Sequence, residues 1–334
     1  MKLKKLTLPL LLTSFLAIGL TCIRTESIKI RTTFNIKDQY CSILTNGVAG
    51  FDNRKFSYAG RGSGTSSTNS LLFLENGENE ISLELGSLSW FSREKMSNDE
   101  RMILTPNSGC KVDMVRFNKN SQTTPLASIN IIVNDKGIPV ATPETEKNTT
   151  HDIILAEQAF PGHIDPKFYG ERYFPEKMQL HKFSKRVIID GIPKWEWLNA
   201  TPFDESEIQS NQLKDAYTEI AKVINMHSRE QLKKSHSIAL RAWSKATGDS
   251  EDDILLSQYT KEEIEGKEVT IDPINWDDYS IRVMNKGRLV QFYNKSKPTY
   301  SPLTYHSFDA EGHKIMGFYA PIFSLINGKF VVVL

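Results

Sequence analysis

The stretch that decides the fold is LLFLENGENEISLEL, residues 71–85. Apolar residues occupy every second position of 81–85, and this period of two is that of a β-strand with one buried face. The preceding residues 75–79 combine glycine with asparagine, which both tolerate the positive φ of tight turns. The sequence therefore predicts a β-hairpin in which the apolar run 71–74 pairs with the alternating strand.

Similar patterns lie on both sides of this stretch. Short apolar or alternating runs are separated by turn residues, and Asn327-Gly328 is the strongest two-residue hairpin signal. The other predicted strands are 28–34, 110–114, 127–133, 138–141, 178–189, 194–198, 279–283, 289–293, 322–326 and 329–334. Strands therefore occupy both ends of the chain.

The middle of the chain, residues 204–266, is predicted to be helical. Leu213, Tyr217, Ile220 and Ile224 have the spacing of one apolar helix face. We expect Asp204 to cap the first helix, while Ser228-Arg-Glu-Gln231 forms the capping box of a second helix that ends near Gly248. Strands, then helices, then strands without regular alternation indicate an α+β fold with mainly antiparallel sheet.

Length and composition suggest more than one domain. The chain has 334 residues, which exceeds the usual size of one compact domain. A polar stretch without apolar periodicity, 142–150, marks the expected boundary. We therefore expect a β-rich domain over 22–145 and an α+β domain over 146–334.

The first 21 residues have the composition of a signal peptide. Lys2, Lys4 and Lys5 precede an apolar run at 6–20. The run is shorter than the ~20 residues that span a bilayer, so export with cleavage is favoured over a stable membrane helix. We expect the mature chain in the periplasm, with a net charge that changes from +1 to −2 when the three lysines are removed.

The three cysteines fit an exported protein. Cys22 stands where a bacterial lipoprotein would be acylated, although cleavage after Gly19 by ordinary signal peptidase competes with this interpretation. Lipidation at Cys22 would be the only contact of the chain with the membrane. Cys41 and Cys110 then remain as an even pair, either joined by a disulfide in an oxidising compartment or left as two separate thiols.

No stretch of the sequence predicts a cofactor, a metal or a catalytic constellation. The glycine-rich residues 60–64 lack the spacing and the following helix of a phosphate-binding loop. The near-neutral charge gives no reason to expect nucleic-acid binding. Trp195 and Trp197 lie at alternate positions, and we expect them either in the core or on a partner-binding face.

Four stretches carry a resemblance to a family. They are SWFS at 89–92, RYFPEK at 172–177, RVMNKGRLV at 282–290 and YSPLTY at 300–305. With these stretches the mature chain resembles exported proteins of Gram-negative bacteria that are similar to the immunity proteins encoded beside type VI secretion effectors. The resemblance implies a protein that neutralises a secreted toxic effector by stoichiometric binding, without a catalytic site or a cofactor.

Two other functions remain open. The first is an envelope hydrolase whose active site is assembled from distant residues, for which His151, His163, Asp165 and His306 are the candidates. The second is a structural envelope lipoprotein that tethers a partner through Cys22.

Overall fold

A computed structural model describes residues 28–117, 122–160, 174–265, 269–308 and 311–334. Four antiparallel sheets and the helices between them give an α+β fold, which confirms the predicted class. The leader and Cys22 lie outside the described residues. Among the residues described, no helix has the length and apolarity needed to cross a membrane.

The first two sheets pack face to face over a shared apolar core that includes Ile30, Val112 and Leu83. The first has the order β4-β1-β6-β7-β8, with β1 (Lys29–Lys37), β4 (Gly64–Asn69), β6 (Gly109–Phe117), β7 (Thr123–Val133) and β8 (Pro139–Ala141). The second has the order β3-β2-β5-β10-β9, with β2 (Tyr40–Thr45), β3 (Val48–Asp52), β5 (Gly77–Gly86), β9 (Thr149–Leu155) and β10 (Gln179–Ile189).

The second sheet runs across the expected domain boundary between residues 145 and 146. β10 pairs with β5 from His181 opposite Leu85 to Ile189 opposite Gly77. β9 then pairs with the other side of β10. The strands on both sides of the boundary therefore share one hydrogen-bonded ladder.

A disulfide crosses the core between the first two sheets. It joins Cys41 on β2 to Cys110 on β6, with α-carbons 6.8 Å apart. Both cysteines are fully buried. The bond therefore links the two facing layers at the centre of the sandwich.

Among the described residues, three short helices precede β10 in the chain and five helices follow it. They are α1 (Arg54–Tyr58), α2 (Asn98–Met102), α3 (Pro143–Glu146), α4 (Glu207–Asn225), α5 (Arg229–Ser235), α6 (Ser237–Thr247), α7 (Glu251–Gln258) and α8 (Lys261–Glu265). The predicted apolar face of α4 is buried, but its cap is Ser206, whose hydroxyl accepts from the Gln209 amide. Asp204 instead accepts a hydrogen bond from the Ser206 amide.

Two small sheets complete the C-terminal part. The third has the order β11-β14-β15, with β11 (Thr270–Ile271), β14 (Leu303–Phe308) and β15 (Lys314–Tyr319). The fourth has the order β12-β13-β16-β17, with β12 (Tyr279–Met284), β13 (Leu289–Asn294), β16 (Phe323–Ile326) and β17 (Lys329–Val332). The predicted turn at Asn327-Gly328 is confirmed, with φ of 51° and 77° at its two residues.

Two predicted strands are wrong, and hydrogen bonds between the two segments explain why neither forms a strand. Residues 71–73 and 196–199 form single 3₁₀ turns. The Trp195 indole donates to the carbonyls of Leu71 and Leu74 at 3.2 and 3.0 Å, and Trp197 donates to Leu72 at 3.2 Å. Both indoles are almost completely buried, so they belong to the core and form no partner-binding face.

The disulfide should contribute strongly to stability. The C41S/C110S variant is expected to lose ~2–5 kcal/mol of unfolding free energy, since the bond closes a separation of 69 residues in the unfolded chain. Urea unfolding with and without dithiothreitol measures this. Reductant should destabilise the wild type and leave the variant unchanged; equal stability of the oxidised wild type and the variant would contradict the expectation.

Candidate binding cleft

A cleft of about 710 Å³ lies between the second and fourth sheets. Its floor is the face of the second sheet that points away from the sandwich core, and its wall is formed by β12 and β13. The lining side chains that carry charge are Asp52, Arg54, Glu84, Glu157 and Arg282. The apolar lining includes Leu44, Ile154, Leu180, Met284 and Ile322.

The alternation of β5 explains why the floor is polar. Ile81, Leu83 and Leu85 are buried in the sandwich core. Successive side chains of a strand point to opposite faces, so Glu84 points to the other side. Glu84 lies opposite Ser42 on β2 and opposite Lys182 on β10. Its carboxyl is therefore in the middle of the sheet and not at an edge.

The wall is held by Arg282 on β12. Its Nη2 donates to both carboxylate oxygens of Glu157 at 2.7 Å, and Nη1 donates to Gln291 Oε1 at 3.2 Å. The guanidinium also lies 4.7 Å from the centre of the Tyr293 ring. Arg282 therefore neutralises Glu157 and is itself fixed by several partners.

Aromatic rings close one end of the cleft. Tyr40 is buried and meets Phe174 edge to face, with ring centres 5.2 Å apart. The Arg54 guanidinium also lies over the Phe174 ring, 5.2 Å from its centre. Burial raises the pKa of Tyr40 well above its usual value, so its hydroxyl stays protonated near neutral pH.

Glu84 lies half-buried on the floor without a matched partner. Among the described residues, no hydrogen bond or ion pair reaches its carboxyl. Its cross-strand neighbour Lys182 has its ammonium 3.8 Å from Glu80 instead. Burial raises the pKa of Glu84, the charge of Lys182 opposes this, and the charges of Glu157 and Asp52 add to it. Ionisation of Glu84 is thus unfavourable in this environment.

A polar junction keeps the floor and the wall together. Arg288 donates to both oxygens of Glu75 at 2.8 and 2.9 Å, and each of these side chains is only 14% exposed. The Arg288 guanidinium also lies 5.0 Å from the Trp197 ring centre. The Asn285 amide donates to the Asn46 carbonyl at 3.0 Å. These contacts tie the fourth sheet to the loop and the turn that flank β5.

The residues predicted for a hydrolase are not brought together. His151 lies on β9 in the second sheet, whereas His306 lies on β14 in the third sheet and pairs with Asp272 at 2.6 Å. His163 and Asp165 lie outside the described residues. The described part of the chain therefore provides no joint site for His151 and His306.

His151 instead belongs to a histidine pair on the outer strands. Its Nε2 lies 2.9 Å from His181 Nδ1, and its ring stacks on Phe183 with centres 4.2 Å apart. Burial lowers the pKa of His181 to about 4 and also lowers that of His151. In the described part of the chain, no group of three potential ligand side chains could hold a metal ion.

The cleft was not visible in the sequence pattern. Glu84 appears there only as a polar position of an alternating strand, and such positions are usually solvent-exposed. Glu157 and Arg282 are 125 residues apart in the chain, so no local motif joins them. Comparisons with protein-family models, curated proteins and solved structures find no match for the chain.

Glu84→Gln should stabilise the protein. The substitution removes a carboxyl whose ionisation is disfavoured by burial, so a gain of about 0.5–1.5 kcal/mol in unfolding free energy is expected at pH 7. Because the pKa of Glu84 is raised, the stability penalty of its ionisation grows as pH rises and is absent below the pKa of the unfolded chain. The stability difference between variant and wild type should therefore decrease towards pH 4. Urea unfolding between pH 4 and 8 measures this, with Glu78→Gln as the control, because Glu78 on the same strand face is exposed and pairs with Arg186. A variant that is less stable than wild type at pH 7 would show that Glu84 has a stabilising partner.

The stabilisation by the Glu75–Arg288 pair should show the opposite pH dependence to the penalty at Glu84. Arg288 holds the pKa of Glu75 below its usual range, so the pair contributes above the unfolded-state pKa and is lost as pH falls through the folded one. Glu75→Gln should cost about 1.5–3 kcal/mol at pH 7, the usual contribution of hydrogen bonds to charged groups, and less at pH 3. Glu78→Gln, which removes an exposed ion pair from the same strand, should change stability by under ~0.5 kcal/mol. A cost that is the same at both pH values would argue against the ion pair.

Proposed function

We propose that this chain is a periplasmic binding protein that neutralises a secreted toxic effector by stoichiometric binding, and that the cleft forms part of the surface that receives the effector. The observation that carries the proposal is the cleft with its unmatched carboxyl at Glu84. A charged group that costs stability in the free protein is explained if a partner satisfies it. The predicted leader and the family resemblance agree with export to the compartment where such an effector would act.

The rim of the cleft supports a protein partner over a small molecule. Leu155 lines the cleft and is 58% exposed. Phe318, across the cleft, is 36% exposed. Apolar side chains around a polar centre are typical of surfaces that become buried in protein complexes.

The scaffold supports binding with little rearrangement. The disulfide fixes the floor to the first sheet, and the Glu75–Arg288 pair fixes the wall to the floor. A preorganised surface loses little conformational entropy on association. Inhibition by occlusion requires such a surface and no chemistry of its own.

Co-expression with the toxin encoded by the neighbouring gene tests the proposal. The exported chain should protect cells and co-purify with the toxin at a ratio of one to one, whereas a chain without residues 1–21 should not protect. Leu155→Asp should weaken complex formation at least about tenfold, because it places a charge on the rim of the cleft. Ile208→Asp is the control, since Ile208 on α4 is 72% exposed and lies outside the cleft.

The proposal is contradicted if the exported chain neither protects cells nor co-purifies with the toxin. Protection that survives Leu155→Asp and is lost with Ile208→Asp would place the binding surface on the helices instead of the cleft.

A further inference from the structure

Resting on the function proposed above, we infer that the cleft binds a cationic side chain of the partner, arginine or lysine, with its charged end against the Glu84 carboxylate and its aliphatic stem along the apolar lining. This assigns a ligand chemistry to the cleft. It also names Glu84 as the residue that selects the ligand.

The charges of the cleft favour a cation. Three carboxyl groups and two guanidinium groups line it. Arg282 is bound to Glu157 through two hydrogen bonds, and Arg54 lies over the Phe174 ring. Asp52 accepts a hydrogen bond from the Arg54 amide at 2.9 Å. Within the described residues, Glu84 is thus the lining carboxyl with neither a hydrogen bond nor an ion pair, and an incoming cation would supply one.

The apolar lining matches the rest of a long basic side chain. Arginine and lysine carry three or four methylene groups that pack on apolar surface while the charged end reaches a polar group. Leu44, Ile154, Leu180 and Met284 line the space around Glu84. The volume of about 710 Å³ exceeds a single side chain, so flanking residues of a partner segment would also fit.

Lys182 is the competing cation within the chain. It lies directly opposite Glu84 on β10, but its ammonium is directed to Glu80 at 3.8 Å. Because a pair at this distance contributes little, Lys182 can compete with an incoming guanidinium for Glu84. Lys182→Gln should therefore strengthen cation binding.

A short peptide tests this inference without the toxin. The probe is acetyl-Gly-Arg-Gly-amide, and its neutral counterpart carries citrulline, which keeps the shape and removes the charge. Titration is followed by the methyl signal of Met284 in ¹³C-methyl-methionine-labelled protein, assigned by comparison with Met284→Leu. The arginine peptide should shift this signal saturably, and the citrulline peptide should bind at least about tenfold more weakly.

The variants separate the two carboxyls of the strand. Glu84→Gln should weaken binding of the arginine peptide at least about tenfold, whereas Glu78→Gln, whose carboxyl pairs with the exposed Arg186, should leave it within about twofold. The inference is overturned if both peptides bind equally, or if the Met284 signal shows no saturable shift. It is also overturned if Glu84→Gln binds the arginine peptide as tightly as wild type does. A toxin that binds wild type and Glu84→Gln equally would overturn it too while leaving the proposed function intact. Failure of the toxin to bind at all would instead concern the proposed function.

Discussion

The Glu75–Arg288 ion pair is the contact on which the geometry of the cleft depends. Glu75 lies two residues before β5, which carries the floor, and Arg288 immediately precedes β13, which carries part of the wall. Two parallel hydrogen bonds fix orientation as well as distance, and packing of the guanidinium on Trp197 excludes water from one side. Lys286 adds a second cation to Glu75 at 2.6 Å, and the Asn285 backbone amide donates to the Asn46 carbonyl, so the fourth sheet is held to the turn beside β5 by charged and neutral contacts together.

The strand β5 therefore contributes to both the sandwich core and the cleft. One face of β5 supplies Leu83 and Leu85 to the core that the disulfide crosses, and the opposite face supplies Glu84 to the cleft. Since a strand offers both faces along its whole length, a rigid core directly beneath the floor restricts movement of the carboxyl. Stability and the candidate site are thus coupled through one stretch of sequence.

This stretch also shows what the sequence could and could not predict. The buried alternation of 81–85 follows from a local period of two and is confirmed, as is the turn at Asn327-Gly328. The 3₁₀ turn at 71–73 was missed because its carbonyls are satisfied by indoles more than 120 residues later, at Trp195 and Trp197. Partners at such a separation leave no local pattern, so an apolar run could not be distinguished from a strand.

The candidate site was missed for a related reason, and the reason bears on its chemistry. Glu157 and Glu84 look alike in the sequence as isolated acidic residues near apolar ones. Tertiary contacts distinguish them, because Arg282 neutralises Glu157 whereas no ion pair from the residues that the structure describes reaches Glu84. A structural carboxylate acquires its partner from its own chain. An ionised carboxylate that lacks one and still faces a cleft lowers stability in the free protein, and a ligand that supplies the missing charge offsets that cost. The contrast between these two glutamates therefore supports the proposal that a cation binds at Glu84 and not at Glu157.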